Sequence, residues 1–293
     1  MYAIDGAREL VCLQASDGKV VWSQVGSNLL GGPSERQGAA DRLLIVGDSL
    51  VCVGQVSDAL QVNVLDKATG EFRWAKYFRP PTWQIKYTTP GLLATEARQS
   101  LLLVGADVLA CLGLDSDTLW ESRVKDKQEG LYDPWSFLAT GSRFYVYKEK
   151  ALEAFQAADT ADGQGIECKR LWTVDARSGG ILIPLDDRLV HVSPGGDRRF
   201  VRAREAETGK PLWEGRVEKA EVSGGIAADG KLILTTTRNE LILAQANGPE
   251  FRILSRAVID GFESCWSPAA FSDGQLFLRD CTGLVKCFDL RLP

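Results

Sequence analysis

Histidine is nearly absent: His191 is the only one in 293 residues. A multi-histidine metal site is therefore excluded, and a Ser-His-Asp triad would have to be built on His191 alone. No GxSxG elbow accompanies it, and it lies in the strand-like run RLVHVS, where a packed strand histidine is expected. No CxxC occurs, which removes zinc ribbons, thioredoxin-like redox centres and haem attachment through CxxCH. No apolar run approaches the roughly 18–20 residues that span a bilayer, so membrane insertion is not expected. Residues Met1–Asp5 lack the basic, apolar and small-residue segments of a signal peptide. Dense runs of Lys or Arg are also missing. With a net charge of −5 and a pI near 5.2, nucleic acid is not expected as a partner. Convincing 3.6-residue periodicity is lacking throughout, so helices should be nearly absent.

What is present is regular. There are 29 glycines, as an architecture with many tight turns requires, and 8 tryptophans at recurring positions. The segments LQASDGKVVW (13–22), LDKATGEFRW (65–74), LDSDTLW (114–120) and REAETGKPLW (204–213) align, and CKRLWTVDA repeats the ending at Trp172. The anchors Trp22, Trp74, Trp120, Trp172 and Trp213 are 52, 46, 52 and 41 residues apart by subtraction. A sixth copy, AQANGPEFRIL, puts Leu254 about where the tryptophan would fall. Such periods match a four-stranded propeller blade. Strand-like runs recur within each one: LLIVG, LVCVG, QVNVLD and FRWAKY make one blade, bounded by Gly, Asp and Ser. Asp17-Gly18, Thr69-Gly70, Thr208-Gly209 and Asn247-Gly248 each offer glycine for a positive φ in a hairpin turn. Each tryptophan then falls on an outer strand, where its ring is expected to pack on the next blade while its N–H finds an acceptor.

The pattern Leu-Asp-x-x-Thr-Gly-x-x-x-Trp resembles the PQQ-like propeller repeat, found in quinoprotein alcohol dehydrogenases and in the propeller lipoprotein of the bacterial outer-membrane assembly machine. The resemblance covers nearly the whole chain. It implies an all-β fold: one domain over 1–293, a seven-bladed β-propeller of four-stranded antiparallel blades. The first and last blades look incomplete, with three strands each, giving about 26 strands where a closed ring would want 28. Two explanations account for that seam. Residues upstream could supply the two missing strands, or the edge is open and a partner adds a strand. The first is preferred, because an unpaired edge invites aggregation.

The resemblance hosts enzymes and scaffolds alike. Its alcohol-oxidising members hold PQQ beneath adjacent cysteines, with a calcium ion and a catalytic aspartate. Here no cysteines are adjacent, and Cys281 and Cys287 are the nearest pair. The seven cysteines are an odd number, which points to free thiols and a reducing, cytoplasmic compartment; an upstream segment would make export the alternative. Cys12, Cys111 and Cys287 share one repeat position with Ala154, Ala203 and Ala244, the mark of a small-residue packing slot. ADTADGQG (158–165) resembles a calcium loop but has Arg170 where the closing acid belongs, so an ordinary turn is expected.

No catalytic residue, cofactor or metal is therefore assigned. The expected function is a non-catalytic scaffold or assembly subunit that binds another protein. The alternative is a small-ligand or PQQ-binding propeller. The long connections 27–38, 78–89 and 125–135 would present the binding face. Phe78, Arg79, Trp83, Lys86, Tyr87, Tyr132 and Trp135 are its candidate residues, because loop aromatics and arginines have interface composition. Trp83 and Trp135 could instead fold back onto the blades.

Overall fold

The computed structural model describes residues 1–4, 9–25, 42–56, 59–78, 90–124, 131–176, 180–192, 199–263 and 269–291. Among these there are 26 strands and no helix, and the strands form seven antiparallel sheets. No helix is long and apolar enough to cross a membrane. Contacts divide the chain into two compact units, residues 1–149 with 155–169, and residues 150–154 with 170–293.

The first unit opens with a three-stranded sheet, β1 (Tyr2–Ile4), β2 (Leu10–Leu13) and β3 (Val20–Gln24). The second sheet is β4 (Arg42–Val46), β5 (Ser49–Val56), β6 (Ala59–Asp66) and β7 (Phe72–Phe78). The third is β8 (Gly91–Ala94), β9 (Gln99–Val104), β10 (Val108–Leu112) and β11 (Thr118–Arg123). The fourth, β12 (Tyr132–Thr140), β13 (Arg143–Lys148), β14 (Ala151–Asp159) and β15 (Ile166–Asp175), supplies residues to both units.

The second unit holds the fifth sheet, β16 (Ile181–Leu185), β17 (Arg188–Val192), β18 (Phe200–Glu205) and β19 (Pro211–Arg216). Its sixth is β20 (Val222–Ala228), β21 (Lys231–Thr236), β22 (Glu240–Gln245) and β23 (Arg252–Val258). The last has three strands, β24 (Ala270–Ser272), β25 (Gln275–Arg279) and β26 (Val285–Asp289). Strand number and the three-stranded first and last sheets agree with the sequence reading.

Strands β9, β10, β13, β17 and β21 are buried on both faces, which is why their sequences read as nearly continuous apolar runs. Along β5, Leu50 and Cys52 pack with Leu10 and Trp22 of the first sheet. Val51 and Val53, pointing the other way, pack with Leu101, Leu103 and Ala110 of the third. In the second unit Val190, Val192, Val201 and Ala203 meet Leu232, Leu234 and Ile242 in the same manner. The core is thus a series of layers between consecutive sheets.

The tryptophans lock these layers. Trp22 donates its indole N–H to Lys67 O at 3.2 Å, and Trp74 to Leu114 O at 2.7 Å. In the second unit Trp172 reaches Ala206 O and Trp213 reaches Ala246 O, both at 3.1 Å. Every one of these acceptors lies in the third hairpin turn of the next sheet. The ring also covers that turn: a Cβ on Gly70 would lie 2.7 Å from the Trp22 indole, and one on Gly209 2.7 Å from that of Trp172.

Two turn expectations need correction. Gly18, Gly70 and Gly209 have φ between 72° and 76°, but Gly248 does not enter the left-handed region. The sixth copy's tryptophan position belongs to Ile253, which pairs with Ala244 and packs into the core, while Leu254 is exposed. Strand alternation decides this, because neighbouring residues point to opposite faces.

Candidate protein-binding surface

Residues chosen from sequence for a binding face do not all reach a surface. Phe78 closes β7 and is buried with Val53, Val62 and Leu103. Tyr132 opens β12 and is buried with Phe144 and Val146, with Lys148 Nζ 5.3 Å from its ring centre. Both are core residues at strand ends, not loop contacts. Trp135 lies within β12, but its side chain is outside the described residues, as are Arg79, Trp83, Lys86 and Tyr87 entirely.

Strand alternation turns Tyr77 outward where Phe78 turns inward. Its ring is 57% exposed, and its hydroxyl lies 3.1 Å from Gln61 Nε2, which donates to it. Gln61 is buried and also donates to Asn63 Oδ1 at 2.8 Å. The other large exposed apolar side chains of the first two sheets are Val20, Val21 and Val25 at β3 and Phe72 on β7, with Met1 beside β1 and Ile45 on β4. Trp22 and Gln24 tie β3 to the turn that leads into β7, Gln24 Nε2 donating to Gly70 O at 3.0 Å. The signal that would have found Val21, Val25 and Tyr77 is the strand period: on an outer strand, apolar residues out of phase with the tryptophan face solvent, while Val20 and Phe72 lie across the register shift from it.

The potential chemical groups are occupied structurally. Asp159 accepts from Thr95 Oγ1, the Ala97 amide and Arg98 Nε at 2.9–3.0 Å, and these bonds, led by the Ala97 amide, hold its carboxyl below the usual range. Asp162 accepts from Thr160 Oγ1 at 2.6 Å and from the Gln164 amide, so the 158–165 segment uses its carboxylates to build a turn. Beside it is a groove of about 520 Å³ lined by Thr95, Glu96, Ser142, Gln156 and Asp159. Gln156 is spent there too, donating to Ser142 Oγ at 2.7 Å and accepting from Arg143.

His191 is 2% exposed at the centre of β17, between Leu182 and Arg202. Neither ring nitrogen has a hydrogen-bond partner. Burial, and then the positive charges of Arg204 and Arg202, push its pKa down to about 3, so the ring is neutral. A general base needs a positioned partner, and this histidine has none to orient it. In the other unit burial pushes Asp107 up, one carboxyl oxygen lacking a partner. Of the seven cysteines the six described are free thiols. Cys12 and Cys111 are buried opposite Trp22 and Trp120, as Ala203 is opposite Trp213, which fits the packing slot at these positions, whereas Cys287, assigned to the same slot, is exposed.

Residues 1–133 match a family model described as outer membrane protein assembly factor BamB. BamB from Moraxella catarrhalis superposes with a TM-score of 0.68 at 19% identity, over 96% of this chain and 78% of that one. The chain has the β-propeller fold, and its first 133 residues are similar to the PQQ-like repeat family. The fold is shared with the computationally designed Ika8 protein, at a TM-score of 0.66 and 14% identity over 98% of this propeller and 79% of that chain. It is also shared with BBS1N, solved in complex with ARL6DN, at 0.66 and 11% identity over 99% and 86%. No curated protein matches the propeller.

In the alcohol-oxidising members that the repeat resembles, PQQ is accompanied by a calcium ion. Among the described residues no group of three or more His, Cys, Asp or Glu side chains converges to hold the accompanying calcium. The adjacent cysteines of the alcohol-oxidising relatives are absent from the sequence.

Proposed function

We propose that this propeller is a non-catalytic scaffold that binds another protein. The observation that carries the reading is the exposure of Val21, Val25, Phe72 and Tyr77 along β3 and β7, in sheets whose inner strands are wholly committed to layer packing. Apolar and aromatic side chains gathered on neighbouring elements of a rigid frame are what a partner would desolvate. Similarity to assembly factor BamB over residues 1–133 supports the same role. Arg79, Trp83, Lys86 and Tyr87, chosen from sequence for the same role, follow Phe78 in the chain and lie outside the described residues.

The test is site-specific photo-crosslinking in cells of the source organism. A photoreactive residue replaces Val21 or Tyr77, with Asp229, exposed in the other unit, as control. A discrete adduct from the first two positions and none from the third is expected. Adducts of equal pattern at all three, or none at Val21 and Tyr77, would overturn the reading.

A further inference from the structure

The third hairpin turn of the sixth sheet is built unlike its counterparts. Four residues before the tryptophan, Gly18, Gly70 and Gly209 take a left-handed φ and donate their amides to the carbonyls of Gln14, Asp66 and Glu205, all at 2.9 Å. Counted back in the same way from Ile253, that place belongs to Pro249, whose ring leaves it no N–H to donate and fixes φ at about −65°. In the second sheet the Asp66 carboxylate also holds the turn's inner amides, accepting from Ala68 and Thr69 at 2.8 and 3.1 Å. Gln245 stands in its place, and its Oε1 accepts from Arg252 Nη2 instead. The sixth turn is held from outside. Arg188 Nη1 donates to Ala246 O at 2.9 Å and to Gly248 O at 2.6 Å, and Trp213 Nε1 reaches Ala246 O at 3.1 Å.

Asn247 lies between those two clamped carbonyls. Its own carbonyl and the Gly248 amide form one peptide unit, and among the described residues neither has a hydrogen-bond partner, nor has the Asn247 carboxamide. The side chain is exposed and lies over Gly230, where an added Cβ would meet Nδ2 at 2.5 Å. Of the four asparagines it alone precedes glycine, since Asn28, Asn63 and Asn239 precede Leu29, Val64 and Glu240. A glycine amide has no Cβ beside it to hinder its approach to a carbonyl carbon.

We propose that Asn247 is a self-modification site, which cyclises with Gly248 and opens to isoaspartate and aspartate, releasing the clamp on its own turn. The Gly248 nitrogen attacks Asn247 Cγ and gives up its proton. The new N–Cγ bond closes a five-membered imide as the Cγ–Nδ2 bond breaks, and Nδ2 leaves as ammonia. Water then opens the ring. Cleavage of the N–Cγ bond gives aspartate. Cleavage between that nitrogen and the main-chain carbonyl carbon of residue 247 gives isoaspartate, whose backbone runs through Cβ and Cγ. Water is the only co-reactant. Isoaspartate inserts a methylene between the carbonyls of Ala246 and Gly248, so one guanidinium nitrogen no longer spans both within hydrogen-bond reach. The Arg188 and Trp213 bonds tie this turn to the fifth sheet, so the layer shared by the fifth and sixth sheets is what loosens.

The full chain is aged at pH 7 and pH 9 and sampled over time. Purified isoaspartyl methyltransferase with a labelled methyl donor reports isoaspartate, and peptide fragment spectra locate the mass gain of amide-to-acid conversion. Conversion is expected at residue 247, faster at pH 9, and at least tenfold faster than at Asn63 or Asn239. Gly248→Ala is the control. Gly248 has no left-handed φ, and its added Cβ would meet nothing nearer than Glu250 O at 4.0 Å, so the variant keeps the fold while the methyl group slows attack at least tenfold. The isoaspartyl form, isolated by chromatography, should melt below the fresh chain and below Asn247→Asp, which carries the charge without the methylene. An unchanged mass at residue 247, a rate equal to that of the other asparagines, or no slowing in Gly248→Ala would overturn the site. An isoaspartyl form as stable as Asn247→Asp would overturn the release of the clamp.

Discussion

His191 shows how one residue sets a condition on the whole fold. An imidazole that is protonated at pH 6.5 in an unfolded chain but only at about 3 in the native one binds fewer protons when folded. Between those values the unfolded state gains protons that the native state does not. Stability contributed by the neutral ring is therefore fully present above pH 6.5 and is lost as pH falls toward 3, with a limiting slope of about 1.4 kcal/mol per pH unit. The lowered carboxyls of Asp66 and Asp159 also weaken the fold in acid, so the variant matters more than the raw curve. Chemical denaturation of wild type and His191→Leu at pH 7, 6, 5 and 4 is expected to give a stability difference that moves in the variant's favour at every step below 6.5. A difference independent of pH would mean that the ring is hydrated or paired in solution.

At the scale of the element, the hairpin turn and the preceding sheet's tryptophan act as one unit. Gly18 and Gly70 share a φ near 75°, which an alanine adopts only at a cost of about 1 kcal/mol. Around Gly18 nothing lies within 4 Å of the added Cβ, whereas at Gly70 the Trp22 ring is 2.7 Å away. Gly18→Ala should accordingly lose about 1 kcal/mol, and Gly70→Ala about 2–4 kcal/mol, because a packed indole cannot retreat without opening the layer. Denaturant midpoints of the two variants decide it; equal losses would show that the ring moves freely. Much of this element-level logic was legible in the sequence. The Thr-Gly turn, the tryptophan spacing and the small-residue slot at Cys12 and Cys111 all follow from local pattern. The outcome at Ile253 was not, because a one-residue shift in the outer strand exchanges the inward and outward faces and leaves composition unchanged. Phe78 and Tyr132 were misplaced for a related reason. Composition marked them as interface residues, but the strand reaches one residue further than its turn signals suggest, and its last inward position belongs to the core.

For the whole molecule, the contrast between scaffold and quinoprotein comes down to what its polar groups are already doing. A pyrroloquinoline quinone is a polyanion that needs a cation and converging donors to leave water. In this propeller the carboxylates Asp66, Asp159, Asp162 and Asp280 each accept bonds from turn amides and hydroxyls, which fix hairpins and connections. Using them as calcium ligands would cost those turns their anchors. Of the five tryptophans whose side chains are described, four are likewise committed, hydrogen-bonded to backbone carbonyls of the next sheet. Titration of the propeller with PQQ and excess calcium is thus expected to leave the quinone absorbance on the line for free cofactor and the melting temperature unmoved. A saturable spectral shift at one equivalent, with a rise in melting temperature that calcium chelation reverses, would mean that a site is assembled from side chains now engaged elsewhere, and would favour the cofactor-binding reading over the scaffold.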